Sequence, residues 1–139
     1  MRDFAPYPMT GSAVIVLLLG LLHLLYTFRG PKLRPRDAEL QERMSAVSPV
    51  ISRETTMWNA WVGFNASHSF GAILFGVVYG YLSLIHPEFL FGSAFLLVVG
   101  LVLLGGYTFL AKRYWFSIPL RCILVSLVLY AIALISAAA

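Results

Sequence analysis

Four apolar runs, each about as long as a bilayer is thick, decide what this chain can become. A helix needs roughly 20 residues to cross about 30 Å of hydrocarbon, and residues 11–28, 57–85, 90–111 and 116–138 supply such lengths. Lipid offers no partner to a backbone N–H or C=O, so a crossing segment must satisfy both internally, as a helix does. The chain therefore reads as all-α: a transmembrane four-helix bundle in one domain over residues 1–139, with 29–56 as its one long connection. Hydrophobic residues make up 60% and charged residues only 12%, a balance foreign to soluble domains. The early apolar run invites comparison with a secretory signal. Arg2, Asp3, Pro6 and Pro8 make a poor leader to it, no small-residue cleavage site follows Leu25, and the run reads as a retained helix.

The basic residues give the orientation. Arg29, Lys32, Arg34, Arg36, Arg43 and Arg53 lie between the first two runs, none lies between the second and third, and Lys112 with Arg113 lies between the third and fourth. The positive-inside rule then makes the first and third connections cytoplasmic and both termini external. Trp58, Trp61, Tyr114 and Trp115 fall at the cytoplasmic interface, where an aromatic belt is expected. A net charge of +4 spread over such connections is no sign of nucleic-acid binding. His86, Pro87 and Glu88 are read as a tight turn that makes an antiparallel hairpin of the second and third spans, since proline removes a donor.

The long connection carries helix signals of its own. Asp37 can cap a helix starting at Ala38, with Leu40, Met44 and Val47 at helical spacing before Pro49. Glu39, Glu42 and Arg43 occupy the other face, as in a short cytoplasmic amphipathic helix lying on anionic headgroups, anchored by Arg29, Lys32, Arg34 and Arg36. A solvated linker helix is the equal alternative. Ser52 is the expected N-cap of the second span. A short repeat, Tyr26-Thr27-Phe28 against Tyr107-Thr108-Phe109, does not separate duplication from coincidence.

Within the second span, Asn65, His68 and Ser69 are polar at a depth where such groups are paired or functional. At about 100° per residue they share a stripe with Trp58, Trp61, Ala72, Gly76 and Ser83. Gly63, Ser67 and Gly71 lie opposite at spacing four, the pattern of close helix packing, and Gly76 and Gly80 are expected to continue it along the hairpin. Counted at about 1.5 Å per residue, His23 lies roughly 8 Å inside the cytoplasmic face, Asn65 12 Å, His68 16 Å, Tyr107 7 Å and Arg121 8 Å. His23, Asn65, His68, Ser69, Tyr107 and Arg121 are thus the candidate ligand-binding residues, all in the inner leaflet. The duller readings are hydrogen-bonded structural histidines, a polar triad that glues helices, and an Arg121 that snorkels to the headgroups.

Three functions fit. The first is binding of a lipid-like or other hydrophobic small molecule, with membrane lipids as the natural partners. Asp3, Asp37, Glu39, Glu42, Glu54 and Glu88 all lie at or beyond the interfaces, so no intramembrane carboxylate serves as a base, and whether the chain is an enzyme stays open. The second is an accessory or assembly subunit of a larger membrane complex, or a homo-oligomer. The third is a redox subunit with b-type haem held by His23 and His68, against which their unequal depths argue. No other cofactor and no metal is expected. Cys122, the one cysteine, provides neither a disulfide nor a thiolate cluster.

The segments GLLHLLYTF and TMWNAWVGFNASHSFG resemble those of a group of small four-helix bacterial membrane proteins. The similarity covers Gly20 to about Arg113 and implies a bacterial inner membrane, in which the external termini read from the charges are periplasmic, but no activity, cofactor or substrate. Helix count alone gives a looser likeness to the sterol-isomerase and sigma-two-receptor architecture. That architecture depends on intramembrane acids this chain lacks, so it contributes no residues.

Overall fold

A computed structural model describes residues 2–139. Among them the chain is all-helical. After a short 3₁₀ turn come α1 (Pro6–Phe28), α2 (Ala38–Ala46), α3 (Met57–Ile85), α4 (Pro87–Gly92), α5 (Ala94–Tyr114) and α6 (Ser117–Ala138). Four of these, α1, α3, α5 and α6, are long and apolar enough to cross a membrane, which makes this an integral membrane protein by helix length and composition.

Two helix starts differ from expectation, both because of proline. α1 begins at Pro6, not at Gly11, since a proline in the first helical turn gives up only an N–H that has no intrahelical partner there. For the same reason Pro87 does not make a tight turn but opens α4. Ser93 then closes α4 and its Oγ accepts from the Leu96 N–H at 3.3 Å, so the next span starts at Ala94 and not at Leu90. α3 starts at Met57 as expected, yet its cap is Thr56, whose Oγ1 accepts from the Asn59 N–H at 3.2 Å. Ser52 instead accepts from Glu54 in a local turn. Asp37 caps α2 through the Glu39 and Leu40 N–H groups. None of the α2 residues is buried, and Val47 lies just beyond its end in extended conformation.

The chain divides into two compact units, Gly20–Gly71 and the remainder. In the larger one, the first part of α1, the second part of α3, and α4 to α6 enclose a core that includes Met9, Val16, Phe75, Leu104 and Tyr130. α1 and α3 meet at Gly76. A Cβ there would stand 2.5 Å from Leu17 Cβ and 2.8 Å from the Ala13 carbonyl oxygen, so only glycine permits this approach. The partner is thus α1 and not the neighbouring span α5. Small hydroxyls support the same contact: Thr10 and Ser83 lie 2.8 Å apart. Ser12 and Ser126 are 2.8 Å apart, and Ser126 also donates to the Ser12 carbonyl at 3.1 Å. Tyr79 and Tyr130 cross to α5, where their hydroxyls donate to the Leu96 and Leu97 carbonyls. Both rings lie over Gly100. All the buried side-chain polar atoms described here have hydrogen-bond partners, as hydrocarbon surroundings require.

Candidate functional site

The smaller unit contains the end of α1, the connection with α2, and the start of α3. It brings together the polar residues of these two helices. His23 Nε2 lies 3.0 Å from Asn65 Oδ1, and the His23 and His68 rings meet edge to face with centroids 5.4 Å apart. Counting from helix ends had put the two histidines about 8 Å apart in depth. The error lies in treating those ends as level: His23 is close to the end of α1, while its neighbours sit two to three turns into α3.

The amide group determines more than a contact. Asn65 Nδ2 donates to the Trp61 carbonyl at 2.8 Å, and an amide nitrogen only donates. Oδ1 must therefore be the end that faces the imidazole, and an oxygen of this kind only accepts. His23 Nε2 carries the proton, assigned here from the hydrogen-bond pattern.

The fully buried Ser69 hydroxyl donates to the Asn65 carbonyl at 2.9 Å, so it is turned to its own helix. Tyr107 and Arg121 belong to the larger unit. There Tyr107 is buried with its ring 6.0 Å from that of Trp115, and Arg121 is exposed, as a snorkelling side chain would be. Gly63 and Ser67 are also exposed, with nothing within 4 Å of a Cβ placed on Gly63, and Gly71 is half-buried.

This geometry does not fit a haem between His23 and His68. Bis-imidazole ligation needs both rings to aim a nitrogen lone pair at one iron with the macrocycle between them. Here one ring's edge is on the other's face, and Nε2 of His23 presents a proton to Asn65. Among the described residues no group of three or more His, Cys, Asp or Glu is placed to hold a metal ion.

Sequence reasoning missed a recess next to the histidines. Tyr26, Phe28, Leu33, Arg34, Trp58 and Trp61 line it together with the buried Asn65. The connection folds back over it because Gly30 adopts φ 82°, a left-handed turn suited to glycine after a helix. Trp61 Nε1 then donates to the Leu33 carbonyl at 3.0 Å. Its interior is about 30 Å³, room for one small polar group and far from the several hundred Å³ of a drug-sized pocket. The only advance signal was the clustering of Trp58 and Trp61 with Asn65 along one stripe.

Comparison with protein-family models, with curated proteins and with solved structures gives no match.

Proposed function

We propose that this chain is a small membrane protein that binds the polar end of a lipid-like molecule at His23, Asn65 and His68. The observation that carries this reading is the position of Asn65, a buried residue whose amide bonds His23 and which also lines the recess with Trp58, Trp61 and Arg34. A small polar group entering there reaches the imidazole pair, while an attached apolar chain stays in hydrocarbon along the exposed faces of the helices. The small recess favours binding over chemistry.

The proposed site lies in the inner leaflet, with both termini periplasmic in a bacterial inner membrane, a reading supported by the positive charge of the first and third connections. Four spans, α2 lying along the cytoplasmic face, and one bundle complete the proposed arrangement. A second reading, as a subunit of a larger complex or a homo-oligomer, draws on the exposure of Gly63 and Ser67, a ridge of small residues fit for another helix.

Native mass spectrometry of protein extracted gently from its own membrane tests both. A retained small molecule that disappears in His68→Ala supports ligand binding. A spectrum of this chain bound only to other polypeptides makes the histidine pair structural and the chain a subunit.

A further inference from the structure

Taking the lipid-binding reading as its base, we infer that the recess under Gly30–Arg34 selects the phosphate of an anionic phospholipid headgroup. Its location is the first argument. The recess forms where α1 ends and α3 begins, walled by Tyr26, Trp58 and Trp61, and amphipathic rings of this kind lie at headgroup level in a bilayer.

Charge is the second. Arg34 is the one charged side chain in the lining, which includes no carboxylate. Its planar guanidinium is permanently charged and matches two oxygens of a phosphate at once. Asp37, the nearest acid in sequence, is turned to the Glu39 and Leu40 N–H groups of its own helix. Lys32 adds a further cation at the rim, its Nζ 4.0 Å from the centre of the Tyr26 ring.

Rigidity is the third argument. The Arg34 N–H donates to the Pro31 carbonyl at 3.0 Å, and the Trp61 bond to Leu33 holds the same turn against α3. Arg34 is therefore presented from a fixed turn and not from a loose tail, which lowers the ordering cost of binding. At about 30 Å³ the recess takes a phosphate oxygen against its walls, leaving the rest of the headgroup, the glycerol and the tails outside it. Binding at this place brings the phosphate towards Asn65 and through it to the His23–His68 pair.

The test uses the full chain, freed of lipid in neutral detergent, titrated with dioleoylphosphatidylglycerol or dioleoylphosphatidylcholine and read by native mass spectrometry. Wild type is expected to hold phosphatidylglycerol about five-fold more tightly, the scale of one basic contact near an anionic surface. Arg34→Gln is expected to abolish that preference while still binding phosphatidylcholine. Arg43→Gln, on the exposed α2, is expected to keep it. Equal loss in both variants would mean diffuse attraction and overturn the assignment, as would a wild type without preference. Displacement of phosphatidylglycerol by millimolar inorganic phosphate would make the ligand a soluble phosphate and overturn the lipid source. Absence of any lipid adduct on wild type would instead defeat the underlying lipid-binding reading.

Discussion

Asn65 holds His23 through the Nε2 proton, 3.0 Å from its Oδ1, because its own Nδ2 is committed to the Trp61 carbonyl. One amide thereby joins α1 to α3 and chooses the imidazole tautomer. The bond links residues 42 apart in the chain, so it ties two helices and not merely two neighbouring side chains.

The neutral form of His23 is expected to be the Nε2–H tautomer, with Nδ1 as its remaining acceptor. Long-range nitrogen–proton NMR on labelled protein in micelles reads this directly. In Asn65→Leu the two tautomers should approach a mixture, and a wild-type spectrum dominated by Nδ1–H would refute the assignment. The same substitution should cost roughly 0.6–2 kcal/mol, the range for hydrogen bonds between membrane helices. A double-mutant cycle with His23→Ala separates this coupling from packing losses.

Gly76 and Gly63 make an opposed pair of predictions on one helix. A methyl group at Gly76 would overlap Leu17 and Ala13, whereas at Gly63 it would meet nothing within 4 Å. Gly76→Ala should lower stability by about 1–3 kcal/mol, the usual range for overpacking. Gly63→Ala should change it by less than about 0.5 kcal/mol. Unfolding in mixed micelles with increasing SDS compares them. Loss of a higher-order species in Gly63→Ala, with the monomer equally stable, would favour the subunit reading.

Much of this was legible in advance. Hydrophobic length announced the four spans, because a bilayer imposes the same thickness on each. Asp37 announced the start of α2, because capping is local and needs only residues two and three positions away. Pro6 and Pro87 misled for an equally local reason: proline breaks a helix interior but suits its first turn, and sequence alone does not say which applies. The partners across helices were not legible. Gly76 displays its small size without showing that α1 is what approaches it, and His23 shows no sign that its neighbour is two turns into α3. Those pairings depend on how far each helix end stands from the other, a property of the turn at Gly30 and of the connection it starts.

Gly100 should tolerate no side chain. A Cβ there would come within 2.8 Å of Tyr79 Cε1 and 2.9 Å of Tyr130 Cζ, and both rings are held by hydroxyl bonds to α5. Gly100→Ala is expected to cost more than Tyr130→Phe, which leaves the ring in place and removes the hydroxyl's bond to the Leu97 carbonyl, worth about 0.5–1.5 kcal/mol. Thermal unfolding of the two variants ranks them, and the reverse order would mean that the tyrosines shift freely.

Ser12 and Ser126 face each other as equals in sequence but not in hydrogen bonding. The Ser126 hydroxyl donates to the Ser12 backbone carbonyl at 3.1 Å, so its one proton is used and Ser12 must be the donor in the 2.8 Å contact between the two hydroxyls. Ser12→Ala keeps the bond from Ser126 to the backbone and should cost only the one lost hydrogen bond, about 0.5–1.5 kcal/mol. Ser126→Ala removes both bonds and strands a buried donor, a change that costs about 1–3 kcal/mol. The double variant should resemble Ser126→Ala or recover slightly from it, since no stranded hydroxyl is left. Equal losses from the two single substitutions, measured by unfolding in the same micelles, would show that the hydroxyl protons are arranged the other way.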